Sequence, residues 1–393
     1  MKRNLILLVT AIALLAVGTA CKKDKKAPPG PTFNIDVFEQ NLINYVNWNN
    51  DKPIAWAYTI SQNGTLKKSQ AFGSARLPVD GYKKFTLNKE INVASISKFY
   101  TAIAALQLIE ANNLTTDDNI EPWLPASWQR GPGVDNTLNG LTFKDLLKHT
   151  SGLNSINSSF DSTLSYSGLR ACIQTGVVNA QTRSYLNVNF ALFRVLIPSL
   201  WSALPNAPAI DIESDANTQF IYLLYMQENI FDLCGLTLVG CTPEARADAT
   251  LYYNVNDSVN NQAGSFYSGW NNKAGGGGYF MTPIEMAAVN AYFEHTELLL
   301  PKTMRDHMKE HRMGFNNTPN AIYEQRGKVY GKNGSIGTGG AQSQGVLGAN
   351  AIWPTTGIDC VVIMNTQGVT FNDPSGNNSL DLLIYQAYLD AWE

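Results

Sequence analysis

Apolar residues recur along the chain with two periods, and each marks a kind of element. Residues 37–49 read as an opening helix. Ile54–Ile60 and Leu66–Phe72, rich in aromatic and β-branched residues, flank Asn63-Gly64, a pair that tolerates the left-handed backbone of a tight hairpin turn. From Ser95 onward, Ile96, Phe99, Ile103, Leu106 and Ile109 recur at steps of three and four, which predicts an amphipathic helix ending near Asn112-Asn113 and buried along one side. Between about 114 and 300 the pattern is helical or looped, with Phe143–Lys148, Asn189–Ile197, Thr218–Phe231 and Pro283–Phe293 the best helical stretches. Strands return at Val346–Trp353 and Ile358–Asn365 around a Pro354–Gly357 turn, and a helix follows from Ser379, its expected N-cap, to Trp392. Strands at both ends with helices between predict an α+β body: one antiparallel sheet built from both chain ends, flanked by helices, with a mostly helical insert over 114–300. A cleft between sheet and insert is where a site belongs.

The first residues follow a different logic. Lys2-Arg3 precede an apolar run from Asn4 to Gly18, too short to span a bilayer but suited to a signal-peptide core. The run closes on Gly18-Thr19-Ala20-Cys21, which resembles a bacterial lipobox whose cysteine is acylated and becomes the mature N-terminus. The lysine- and proline-rich stretch after it cannot bury a core. The expected organisation is therefore a lipoprotein signal peptide over 1–20, a flexible tether over 21–33 and a folded body over 34–393, held outside the cytoplasm on a bacterial membrane through Cys21. Oligomeric state stays open.

Composition narrows the function classes. Of 393 residues 44% are hydrophobic and only 16% charged, which excludes a disordered or fibrous chain. Residues 1–30 hold six Lys or Arg against Asp24 alone, so the body is more acidic than the overall net charge of −3, and no basic stripe offers itself to nucleic acid. Beyond Cys21, the cysteines Cys172, Cys234, Cys241 and Cys360 are too sparse for a disulfide scaffold and read as buried thiols, although Cys234 and Cys241 are near enough in sequence to close a short loop. His307 and His311 share a helical face without an HExxH pattern or an obvious third ligand, so they read as a solvated face and no metal is expected.

One spacing carries chemistry. Ser95-Ile96-Ser97-Lys98 sets a hydroxyl and an amine three residues apart at a helix start, on one face and within reach of each other. A serine hydroxyl is a weak nucleophile until a neighbour takes its proton, and a lysine can do so once desolvation or a nearby cation lowers its pKa. The helix N-terminus favours the negative charge that develops.

Val93-Ala94-Ser95-Ile96-Ser97-Lys98-Phe99-Tyr100-Thr101-Ala102 resembles the active-site helix of the serine β-lactamase and penicillin-binding-protein superfamily, especially its class C β-lactamase-like branch. Further blocks follow in that branch's order: Leu146-Leu147-Lys148-His149-Thr150-Ser151-Gly152-Leu153, Tyr185-Leu186-Asn187, Ala274-Gly275-Gly276 with Thr282–Ala287, and Lys332-Asn333-Gly334. Tyr45, Tyr252 and Lys273 open rival short matches, which order and flanking residues set aside. The resemblance implies a β-lactamase/transpeptidase-like fold, with Ser95 as the acylated nucleophile, Lys98 as its proton partner, and Tyr185 as a phenol whose pKa two neighbouring ammonium groups lower. It implies that Asn187 orients the substrate amide, that Lys332 meets a substrate carboxylate, and that Gly334 and Ser335 belong to the substrate-binding strand, the amides of Ser95 and Ser335 forming an oxyanion hole. It implies no metal or organic cofactor. Asn333 and Leu186 depart from the usual residues, which leaves the substrate open.

Two readings result. The first is a serine hydrolase acting through an acyl-enzyme on an ester or amide, such as a D-Ala peptide, a β-lactam or a small ester. The second is a catalytically silent lipoprotein that uses the cleft to hold cell-wall peptide or glycan. His149 is expected to satisfy a local backbone network, and Gly275–Gly278 to form a tight turn rather than a phosphate cradle.

Overall fold

The structure is a computed structural model that describes residues 31–393 apart from 49–50, 129–137, 139, 155–163, 206, 208–209, 244–248, 268, 341 and 372–377. The leader, Cys21 and most of the expected tether lie outside the described residues. Asn63 and Gly64 both take left-handed φ, 51° and 73°, so β1 (Ala55–Gln62) and β2 (Thr65–Arg76) close through the tight turn their sequence calls for. Four shorter strands follow: β3 (Lys83–Lys84), β4 (Ile91–Asn92), β5 (Tyr253–Asn254) and β6 (Phe280–Met281). The chain end supplies β7 (Tyr330–Gly337), β8 (Gly345–Trp353), β9 (Ile358–Met364) and β10 (Thr366–Gln367).

The main sheet runs β10-β5-β8-β9-β1-β2-β3, with β7 paired along β8 as an edge strand, so β1 from the beginning of the chain lies directly beside β9 from its end. The expected antiparallel sheet is corrected at one margin, where β10 and β5 are parallel. The cause is topological. β10 continues the direction of β9, which opposes β8, and β5 also opposes β8, so the two must point the same way.

One face of the sheet packs on two helices, Ile35–Val46 and Leu380–Leu389. There Phe38, Leu42, Leu383 and Tyr388 close over Trp56, Ile60, Val362 and Trp353, and the rings of Trp353 and Tyr388 stack 4.2 Å apart. Thr32 and Phe33, the last residues of the expected tether, join this layer: Thr32 exchanges backbone hydrogen bonds with Glu393, and the Phe33 ring lies 4.8 Å from that of Tyr388. Ser379 holds the N-cap position of the last helix but makes no cap hydrogen bond; its hydroxyl donates to the Asp381 carboxylate instead.

The opposite face of the sheet meets the helical insert around one central helix, Ser97–Ala111. The expectation that this helix buries a single side is corrected. Twelve of its fifteen residues are buried, because Ala102, Ala104, Ala105 and Thr101 give its other faces side chains small enough for close approach on every side. Within the insert, Asn189–Ile197 resolves into two helices, Asn187–Ala191 and Phe193–Ser202, and Thr218–Phe231 into Asp215–Met226 followed by a wider π turn. Cys172, Cys234, Cys241 and Cys360 are all free thiols, so the possible Cys234–Cys241 loop is not closed.

Candidate active site

The pairing of β4 with β6 delivers the chain to a 3-10 turn, Ala94–Ile96, which runs into the central helix. Ser95 sits on that turn rather than in the helix proper. Ala94 holds a left-handed φ of 50°, a conformation that costs an alanine on the order of 1 kcal/mol. It is clamped from both sides: its N–H donates to Asn92 Oδ1 at 2.8 Å, and its carbonyl accepts from Ser97 Oγ at 2.7 Å. The strained step aims Ser95 into the cleft while keeping the residue itself only 9% exposed.

Lys98, one turn further on, is fully buried, with its Nζ 3.0 Å from Ser95 Oγ. Its amine donates to Asn187 Oδ1 at 2.9 Å and to the carbonyl of Gly276. Burial first, and the positive charge of Lys332 second, hold Lys98 well below the usual amine range. In this arrangement the amine donates to Ser95 Oγ; once it loses a proton, two N–H donors remain for the carbonyl oxygens and a lone pair can turn to the serine hydroxyl.

Tyr185 donates its hydroxyl to Ser95 Oγ at 2.7 Å. Its ring centre lies 5.1 Å from Lys98 Nζ and 4.9 Å from Lys332 Nζ. The expected lowering of its pKa is corrected: burial of the hydroxyl end pushes the phenol up to about 12, and the hydrogen bond to Ser95 only partly opposes this. The residue as a whole is 45% exposed, but the end that ionises is the one against buried Ser95. Burial outweighs the two neighbouring lysines, whose own charged forms it also disfavours. Lys332 is brought down to about 7 by burial and by Arg183, with Asp381 opposing.

Lys332 and Gly334 come from β7. Lys332 is 2% exposed, its amine donating to Asn316 Oδ1 at 3.2 Å and its backbone N–H to Asn350 Oδ1 at 2.8 Å. Gly334 passes so close to the serine turn that a Cβ there would stand 2.5 Å from the Val93 carbonyl oxygen and 3.1 Å from the Ser95 nitrogen. Ser335 follows with its side chain accepting from Gln367 Nε2 at 3.0 Å. Asn187 is buried at the first position of its helix. Ser95, Lys98, Tyr185, Asn187, Lys332 and Gly334 therefore converge, and Ser335 adjoins them along β7.

His149 is 3% exposed with φ 60°; its carbonyl accepts from Ser184 N at 2.8 Å and its Nδ1 from Leu186 N at 3.3 Å. It braces the segment that carries Tyr185, with ring centres 4.5 Å apart, and burial holds it well below its usual pKa. Gly275 and Gly278 both take positive φ, and a Cβ on Gly275 would meet the Phe190 carbonyl oxygen at 2.5 Å, so this loop is packed backbone against backbone. The rival matches lie elsewhere: Tyr45 donates to Asp390, Tyr252 is buried in the core and Lys273 rests over Trp270. Sequence reading missed the Gly276 carbonyl, Asn316, Arg183 and Asp381. It also missed Glu310, which brings a third possible ligand atom within 4.8 Å of those of His307 and His311, where burial first and Lys144 next lower the pKa of His311.

The sequence model of the Beta-lactamase family matches residues 54–384, a span that takes in Ser95, Lys98, Tyr185, Asn187, Lys332, Gly334 and Ser335. The chain belongs to that family. None of the curated proteins compared with it matches. Among solved structures, the β-lactamase-type fold of this chain is similar to the octameric penicillin-binding protein homologue from Pyrococcus abyssi, at 17% identity over 91% of this chain and 77% of that one, with a TM-score of 0.65. It is also similar to FmtA from Staphylococcus aureus (18%, 93% and 91%, TM-score 0.64) and to a class C β-lactamase from Rhodobacter sphaeroides (16%, 90% and 97%, TM-score 0.62). At such identities the likeness is one of fold.

Proposed function

We propose that this β-lactamase-family protein is a serine hydrolase that acylates Ser95 and passes the acyl group to water. The observation that carries the reading is the meeting of Lys98 Nζ and Tyr185 OH on one oxygen, Ser95 Oγ, at 3.0 and 2.7 Å. Neutral Lys98 takes the Ser95 proton as Oγ attacks a carbonyl carbon, and the amides of Ser95 and Ser335 receive the charge on the tetrahedral oxygen. When the intermediate collapses, Tyr185 gives its proton to the leaving atom and regains one from the Lys98 ammonium. A phenol near 12 suits that relay, because it transmits a proton without resting as the anion. Water then attacks the acyl-serine with Lys98 and Tyr185 in reversed order, and Asn187 holds both the amine of Lys98 and the substrate amide.

The substrate is an ester or amide. D-Ala peptides, β-lactams and small esters all fit the chemistry, and a neighbour of similar fold from Yersinia pestis is described as a β-lactamase/D-alanine carboxypeptidase. The body works outside the cytoplasm, tethered through an acylated Cys21. The test of the reaction class is a fluorophosphonate probe: it should label wild type stoichiometrically on Ser95 and leave Ser95→Ala unlabelled. Labelling that persists in Ser95→Ala removes the assignment. An unlabelled wild type that binds wall fragments restores the silent-lipoprotein reading.

A further inference from the structure

A cavity of about 340 Å³ opens beside the serine, lined on one side by Tyr185 and Lys332 and on the other by the first turn of the helix Leu380–Leu389. It has room for a fragment of amino-acid size. Three charged side chains line it: Arg183, Lys332 and Asp381. The Arg183 guanidinium donates to the backbone carbonyls of Lys148 at 3.0 Å and Phe315 at 3.1 Å, so it is fixed to the main chain of two loops. Asp381 is only 8% exposed, and its Oδ2 accepts from Asn316 Nδ2 at 2.9 Å. The same amide turns its oxygen to the Lys332 amine at 3.2 Å. Lys332 thus has a built-in counter-ion one side chain away, at the place where a substrate carboxylate would seek it.

We infer that Asp381 is a specificity-determining residue, whose carboxylate occupies this subsite electrostatically and selects leaving groups that carry no carboxylate of their own. The inference rests on the hydrolase reading and narrows its substrates to esters and amides with an uncharged leaving side. Two carboxylates sharing this cavity repel, and Lys332, brought to about 7 by burial and Arg183, is only partly protonated at neutral pH and offsets that repulsion incompletely.

Two thioesters with the same acyl group test this, one releasing mercaptoacetate and the other mercaptoacetamide. In each, the acyl carbon–sulfur bond breaks as the Ser95 ester forms, the thiol leaves with a proton and is counted by a thiol reagent, and water frees the acid. Wild type should favour the amide-bearing substrate by about tenfold in kcat/KM, and Asp381→Asn should shift the ratio about tenfold toward the carboxylate. Asp381→Glu should keep the wild-type ratio. Because each ratio is taken within one preparation, partial misfolding of a variant cancels. A wild-type preference for the carboxylate, or an unchanged ratio in Asp381→Asn, overturns the inference while Ser95 labelling stands. Failure to turn over either thioester with Ser95 also unlabelled overturns the hydrolase reading and this inference with it.

Discussion

Lys98 and Tyr185 reach Ser95 Oγ from opposite ends of the pKa scale: burial has made the amine a poor cation and the phenol a poor acid. Ordinarily lysine is charged and tyrosine neutral at pH 7, so the same burial weakens the charged form of Lys98 and reinforces the neutral form of Tyr185. This asymmetry favours Lys98 over Tyr185 as the acceptor of the Ser95 proton.

The pH dependence of acylation follows from that assignment. A lysine whose pKa is lowered loses its proton as pH rises through a value below the usual amine range, so labelling of Ser95 should climb on an acidic limb and then hold level, with no fall until the phenol ionises near 12. Lys98→Ala should lower the labelling rate by roughly 100-fold or more and abolish that limb. Labelling rates across pH, with probe hydrolysis subtracted, check both; a Lys98→Ala profile that keeps the acidic limb assigns the base elsewhere.

Gly334 makes a steric prediction. Alanine there would put a methyl 2.5 Å from the Val93 carbonyl oxygen, a backbone atom that can yield only if the serine turn or β7 shifts. The overlap should cost about 1–3 kcal/mol of stability and displace the strand from Ser95. Gly334→Ala is expected to melt several degrees lower and to label far more slowly than wild type, while Asn333→Ala, at an exposed position, keeps the wild-type melting temperature. Equal labelling rates for Gly334→Ala and wild type would mean that the close approach is not needed for acylation.

Much of this architecture is legible in the sequence because it is written in local pattern. The Asn63-Gly64 turn, the terminal hairpin and the Ser95–Lys98 spacing each depend on residues a few positions apart. The rest depends on distant partners. Whether the central helix buries one face or all of them is decided by what packs over Ala104 and Ala105, and no periodicity within Ser97–Ala111 records that. Neighbouring charges alone predict a lowered Tyr185 phenol, but burial, which a sequence does not display, raises it and disfavours the charged forms of both lysines. Arg183, Asn316 and Asp381 meet at one cavity from three separate segments and carry no shared motif.

Membrane attachment gives a prediction independent of the catalytic site. Cys21 follows small residues at the end of an apolar run, and acylation of its thiol and amine would give the chain the two or more acyl anchors that stable membrane residence requires. Metabolic labelling with a fatty-acid analogue should mark the full-length protein and be lost in Cys21→Ala, which should then appear in the soluble fraction. A Cys21→Ala protein that stays labelled and membrane-bound would overturn the anchor.

Asp359 sets a pH dependence of stability. It lies on β9, fully buried, and neither carboxyl oxygen gains a well-directed hydrogen bond; Ser61 and Asn290 are close enough only to temper the effect of burial, which brings the group up to about 7. An unfolded aspartate titrates near 4. Between these values the folded chain holds a proton that the unfolded chain has released, so the stability this carboxyl retains in its neutral form is fully present below about 4 and is lost as pH rises through about 7. The sign is opposite to that of a salt-bridged aspartate. Thermal melts of wild type should therefore fall across pH 5 to 8 relative to Asp359→Asn, whose amide fills the same space without a proton to lose. If the difference in melting temperature between the two proteins is constant across that range, Asp359 is not the titrating group.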